Sequence, residues 1–176
     1  MNNIAENVIL GKNITIGNNV TIKSGCILGD NIVIGDNVYI DFETIIHSNV
    51  VIAQDSTIGV RCILGEYTAD FYEDRVNKNH PLYIGEKSLI RSETIIYGDN
   101  RFGNHLQTGH RVTIREKTNI GSHVRIGTLS DIQGNCEIQD YVNIHSNVHI
   151  GMHSLIKKYA WIFPYVVLTN DPNPPS

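Results

Sequence analysis

Apolar residues recur in this chain at every sixth position. From Ile84 through Ile90, Ile96, Phe102 and onward to Leu168, fourteen of fifteen such places hold Ile, Leu or Phe, and Thr108 is the exception. Two residues before most of these places the side chain is small or β-branched, as at Val112, Thr118, Val124, Ser130, Cys136, Val142 and Val148. Gly often follows it, as at Gly85, Gly109 and Gly127. A period of six is neither the 3.6 of an amphipathic helix nor the 2 of a simple strand. It predicts short strands broken by a corner every six residues, three to a turn, which makes a triangular parallel β-helix. Residues i and i+2 share a strand face, so both the repeating residue and the small one before it point inward. The glycines are expected at corners that need positive φ.

The same register fills eleven places from Ile4 to Leu64. Asn18, Asn19, Asn31, Asn37 and Asn49 mark corners suited to left-handed backbone. This half reads as scaffold, with His47 a surface histidine. Leu64 to Ile84 is 20 residues where one more side needs six, so a surplus of 14 leaves the solenoid as a loop. Loops of that size are usually functional or disordered. Tyr67, Phe71, Tyr72, His80 and Tyr83 predict a loop that packs on something and serves a site or an interface. The expected organisation is one domain: turns over 1–65, an inserted loop over 66–83, further turns over 84–168, and a Pro-rich loop over 169–176. The last turn is expected to need cover, from further chain or another molecule.

The 176 residues are 18% charged with a net charge of −4, which excludes a globally basic nucleic-acid binder. No apolar run is long enough to span a membrane and no signal peptide is evident, so a cytoplasmic location is expected. Cys26, Cys62 and Cys136 all fall on inward positions. Cys26 and Cys62, two turns apart, would be roughly 10 Å from each other, beyond disulfide reach. Three reduced core thiols are expected.

Residues 18 apart should stack. His110, Thr128 and Ser146 form one column, Arg111 and Asn147 the next, and Gly109, Gly127 and His145 a third. A polar cluster thus gathers on one corner beside Thr108, the place where the apolar rule fails. Residues 101–125 carry Arg101, Arg111, Arg115, Lys117 and Arg125 against Glu116 alone. Either a phosphorylated ligand meets this charge, or the charges face solvent, some paired with the loop acids Asp70, Glu73 and Asp74. Trp161 to Tyr165 offers aromatic side chains for a subunit interface, or as a wall for a base or a pantetheine arm. His145, His149 and His153 fall on different parts of the turn. His105 and His123 stack, but zinc needs a third ligand, and no metal is expected. Walker, Rossmann and Gly-x-Ser-x-Gly patterns are absent.

The six-residue register resembles that of the hexapeptide-repeat acyltransferases, all-β left-handed parallel β-helices that are usually trimers. Thr108-Gly-His-Arg-Val-Thr-Ile-Arg-Glu116, Gly127-Thr-Leu-Ser-Asp-Ile-Gln-Gly134, His145-Ser-Asn-Val-His149 and Trp161-Ile-Phe-Pro-Tyr-Val-Val-Leu-Thr-Asn-Asp-Pro172 resemble N-acetyltransferases acting on dTDP-3-amino-3,6-dideoxyhexoses. The resemblance implies transfer of an acetyl or similar group from acetyl-CoA to the amine of a nucleotide sugar, by a homotrimer, without nucleic acid or membrane partners. It implies His110 as base with Asn147 and His145 orienting, or a proton taken by the departing thiolate with no side-chain base. It further implies sugar-nucleotide contacts from Arg111, Arg115, Tyr67 and His80, and coenzyme A contacts from Trp161, Tyr165 and Asn170. Backbone N–H groups at Gly109 or Gly127 would hold the oxyanion. The family usually continues for several more turns that help form the coenzyme A groove. This chain is therefore expected to carry the sugar half of a site, as a fragment or a form with a reduced donor half. Two other classes fit the fold: a γ-type carbonic anhydrase-like zinc protein and a non-catalytic scaffold.

Overall fold

Each repeating residue closes a strand of two to four residues, such as Thr113–Ile114 or Arg125–Ile126. The computed structural model describes residues 1–170, so residues 171–176 of the expected C-terminal loop lie outside the described part. The strands stack into three parallel sheets of nine, nine and eight strands. The first sheet contains Gln107–Thr108, Arg125–Ile126, Asn143–Ile144 and Trp161–Ile162. The second contains Thr113–Ile114, Asp131–Ile132 and His149–Ile150, and the third Asn119–Ile120 and Glu137–Ile138. Successive turns pair in register, Ile114 on Ile132 and Ile126 on Ile144. Three sheets enclose one core and leave three ridges: the first ridge between first and second sheets, the second between second and third, the third between third and first.

The inward assignment holds throughout the middle of the prism. Ile114 and Ile132 are wholly buried, as are Val112, Thr118 and Val124, and Ser130 is 1% exposed. The polar members are satisfied locally where they can be: Ser130 Oγ donates to the His145 carbonyl at 2.8 Å. The three cysteines are free and buried, and burial pushes the Cys62 thiol up to about 11. The asparagine corners also behave as expected. Asn19, Asn31, Asn37 and Asn49 have φ of 55° to 66°, and the Asn13, Asn31 and Asn49 side chains form an amide ladder at 3.0 and 3.1 Å.

The glycine expectation is corrected. Gly109 and Gly127 are not among the positive-φ residues. Left-handed backbone falls two residues later, at Arg111 and Leu129 (φ 55° and 61°). Gly suits this position because a Cβ on Gly109 would lie within 3 Å of the Thr128 backbone in the next turn.

The insertion leaves the second ridge after Ile63–Glu66 and returns at Leu82–Ile84, where Ile84 pairs with Ile52. Leu82 and Tyr83 therefore belong to a strand. The loop contains one helical turn, Phe71–Asp74, that the sequence pattern did not announce. Tyr67 stacks on Phe71 at 3.8 Å and against His47 at 4.3 Å. His47 is thus a half-buried anchor for the loop, not a free surface residue, and burial lowers its pKa. No helix among the described residues is long and apolar enough to cross a membrane.

Candidate active site

The first ridge brings His110, Arg111, His145 and Asn147 together as the stacking of 18-residue turns requires. The backbone locks the column: Leu129 N–H donates to the His110 carbonyl at 3.0 Å and Asn147 N–H to the Thr128 carbonyl at 2.9 Å. The His110 N–H donates to Thr128 Oγ1 at 3.2 Å, and the His110 side chain is exposed. His145 is half-buried, flanked by Trp161 and Phe163 with ring centroids 5.7 and 6.0 Å away and near-parallel planes. Its Nε2 is buried and without a hydrogen-bond partner. A buried imidazole nitrogen without a partner is an unmet demand that a bound group can satisfy.

Thr108 opens the ladder beside this cluster. In the turns around it, the N–H after each first-sheet strand donates to the carbonyl of the repeating residue one turn on: Gly59 to Ile90 at 2.8 Å, Gly109 to Ile126 at 2.6 Å, Gly127 to Ile144 at 2.8 Å. The Arg91 N–H instead donates to Thr108 Oγ1 at 2.9 Å, which leaves the Thr108 carbonyl without the donor its counterparts have. The same bonds correct the expected oxyanion hole, because the Gly109 and Gly127 N–H groups are both spent on the ladder. A groove of about 250 Å³ lies here, lined by Arg91, Thr108, Thr128, His145 and Ser146. Arg91 went unnoticed in the sequence, since it does not depart from an ordinary corner residue, whereas Thr128 was already placed in the His110 column. A larger depression, about 700 Å³, crosses the third sheet between Tyr83, Arg101, Glu137 and Lys158. It has no histidine, and the unpartnered groups favour the smaller groove as the reactive one.

The basic run of residues 101–125 does not make one patch. Arg101 lies over the Tyr83 ring at 4.5 Å on the third sheet, Arg125 faces out from the first, and Arg115 and Lys117 sit on the second ridge. Arg111 pairs with Glu93 at 2.6 Å, which also holds Arg61 at 2.7 Å. These two guanidiniums hold the Glu93 carboxyl down to about 2. Arg115 pairs with Glu116 at 3.0 Å. The loop acids take other partners than the arginines: Asp70 accepts from Thr68, His80 and Lys78, and Asp74 from Lys78. The Glu93 pairing predicts an acid dependence. A carboxyl with a depressed folded pKa contributes stability above its unfolded pKa, and that contribution is lost as pH falls through the folded value. Thermal stability should therefore decline between about pH 4.5 and 2, and Glu93→Gln should flatten that part of the profile in melts followed by circular dichroism.

No family model matches the sequence, and no curated protein matches it. The structure is similar to solved ones. The UDP-N-acetylglucosamine acyltransferase of Francisella novicida superposes with a TM-score of 0.75 at 23% identity, over 94% of this chain and 66% of that protein. The UDP-N-acetylglucosamine O-acyltransferase of Moraxella catarrhalis gives 0.64 at 22% identity, over 96% and 72%. That of Campylobacter jejuni gives 0.62 at 16% identity, over 93% and 70%. The fold is the left-handed parallel β-helix. These neighbours are hexapeptide-repeat acyltransferases, and the likeness is one of architecture. The chain spans about two thirds of the length of the first of them.

On this β-helix the predicted site residues divide between two ridges. His110, Arg111, His145, Asn147 and Tyr165 lie on the first, with Trp161 on the adjoining sheet. Arg115, Tyr67, His80 and Asn170 lie on or beside the second. Tyr67 and His80 are engaged inside the loop, in the aromatic stack and with Asp70 at 2.8 Å. Trp161 and Tyr165 are 61% and 77% exposed. His105 and His123 stack at 4.5 Å on the third ridge, continued by Tyr141. Among the described residues no three His, Cys, Asp or Glu side chains are placed to hold a metal.

Proposed function

We propose that this β-helix is an N-acyltransferase, moving an acetyl or similar group from acyl-coenzyme A to the amine of a dTDP-linked 3-amino-3,6-dideoxyhexose, as a homotrimer. The observation that carries this reading is the first ridge itself: two imidazoles and a freed backbone carbonyl where the ladder of the first sheet opens. The Thr108 carbonyl can accept an N–H of the acceptor amine and fix its orientation. The amine lone pair attacks the thioester carbonyl, the carbon–sulfur bond breaks, and the ammonium proton passes to His110 and on to the leaving thiolate. With the Gly109 and Gly127 amides occupied, Arg91 and Arg125 are the cations at the groove that can stabilise the oxyanion. The exposed rings of Trp161 and Tyr165 provide apolar surface for the donor, and Asn170 would reach it from the other ridge. The structural neighbours, named for acyl transfer to a nucleotide sugar, support the same class of reaction.

The test is thiol release from acetyl-CoA with dTDP-3-amino-3,6-dideoxyhexoses. Saturable release that requires the sugar amine is expected, together with a rise in melting temperature on adding coenzyme A. No amine-dependent release and no thermal shift would overturn the reading.

A further inference from the structure

After the inserted loop, the outward positions of the first sheet hold Gln107, Arg125 and Asn143, stacked on successive turns. All three line the groove at the first ridge. The same three also line a second depression, about 360 Å³, on the side of the sheet toward the third ridge. The two depressions therefore meet over Arg125. The far one is walled by His105, His123 and Tyr141, whose rings stack with centroids 4.5 and 4.8 Å apart. Each of these residues has φ of 59°, so one repeated corner conformation sets the rings in file. Among the described residues no Asp or Glu lines either depression, in a chain of net charge −4. Arg111 and Arg115, the arginines expected to meet phosphate, are instead held by Glu93 and Glu116. Arg125 is exposed between two neutral amides.

We propose that the first sheet carries a nucleoside-diphosphate subsite, with Arg125 on the diphosphate and the base in the depression beside His123 and Tyr141. A guanidinium not already held by a carboxylate is the group suited to forked hydrogen bonding with phosphate. The stacked rings of the third ridge cover one another's faces and present a wall of edges. Aromatic edges carry the positive part of the ring quadrupole, and the face of a base packs against them. Gln107 and Asn143 each bring a donor and an acceptor, the two functions needed to read the imide edge of thymine. They are the residues that set the choice of base.

The order of groups across the sheet suits the acceptor. Arg125 precedes Gly127 by two residues, at most about 7 Å of chain from the first ridge, and Tyr141 precedes His145 by four, at most about 13 Å. One hexose ring between amine and diphosphate fits the shorter span. Coenzyme A also ends in a nucleoside diphosphate, but its thioester lies a full pantetheine arm away, far longer than that span. A diphosphate seated on Arg125 leaves Arg91 for the oxyanion. Assigning the nucleotide to the acceptor sugar rests on the proposed function, while the subsite itself does not.

The experiment reads binding and not activity: calorimetric titration of the full chain with dTDP, inorganic pyrophosphate and coenzyme A. Wild-type protein should bind dTDP at least about tenfold more tightly than pyrophosphate, the difference being the contribution of the nucleoside. Arg125→Gln should weaken dTDP by about 10- to 100-fold, the usual loss of a charge-assisted hydrogen bond. Its melting temperature should hold, since Arg125 is exposed. Arg101→Gln, which removes a cation from the third sheet, should leave dTDP binding within about twofold. Asn143→Ala should weaken dTDP by about 3- to 10-fold and leave pyrophosphate unchanged. Coenzyme A binding should be indifferent to Arg125→Gln. Absent dTDP binding, dTDP binding that survives Arg125→Gln, equal effects of Asn143→Ala on dTDP and pyrophosphate, or a loss of coenzyme A affinity in Arg125→Gln would each overturn the proposal. Normal titrations without amine-dependent thiol release would instead overturn the proposed function and leave the subsite standing.

Discussion

Replacing His110 with alanine is expected to lower turnover at saturating sugar and acetyl-CoA by about 10²- to 10⁴-fold, the usual contribution of a positioned general base. The substitution is clean. The His110 side chain is exposed, and the bonds that hold its residue in the ridge, to Thr128 Oγ1 and from Leu129 N–H, belong to its backbone and survive the change. Melting temperature should therefore stay nearly constant while the rate falls. His145→Ala is the contrasting case. Its ring is flanked by Trp161 and Phe163, so stability and rate should fall together. A loss below about tenfold for His110→Ala would assign the proton to the departing thiolate and leave the ridge a positioning role only.

The contrast between what the repeat announced and what it concealed has a physical basis. Burial acts on every turn identically, so the inward positions print a period of six that reads directly as Ile114 over Ile132 and Val112 over Ser130. Left-handed corners print asparagine for the same reason. Residues that are near in sequence but more than one side apart are a different matter. Arg101, Arg111, Arg115 and Arg125 look like a cluster in a list, yet a turn of 18 residues distributes them around all three sides of the prism. The ladder break at Thr108 shows as an odd residue in the sequence. Its content, a hydroxyl replacing a carbonyl as acceptor for Arg91, exists only in three dimensions.

Glycine after many of the strands was visible too, but its cause was misread, and the corrected cause predicts a large effect. A Cβ on Gly127 would come within 3 Å of the His145 and Ser146 backbone. That backbone cannot retreat, because Gly127 N–H to Ile144 and His145 N–H to Ile162, at 2.8 and 2.9 Å, fix the spacing of the turns. Gly127→Val should cost more than about 3 kcal/mol, a large share of the roughly 5–15 kcal/mol that holds a typical domain together. Gly25 is the opposite kind of glycine. It has φ of +78°, and the nearest atom to its Cβ would be the flexible Glu43 Cγ at 3.2 Å. Asparagine already occupies left-handed backbone at Asn19, Asn31 and Asn37, so Gly25→Asn should cost less than about 1 kcal/mol. Urea unfolding of the two variants separates the causes. If Gly25→Asn proves the more damaging, backbone conformation and not the approach of the next turn is what places glycine at Gly127 and its counterparts, and the His145 corner owes its shape to something other than the missing side chain beneath it.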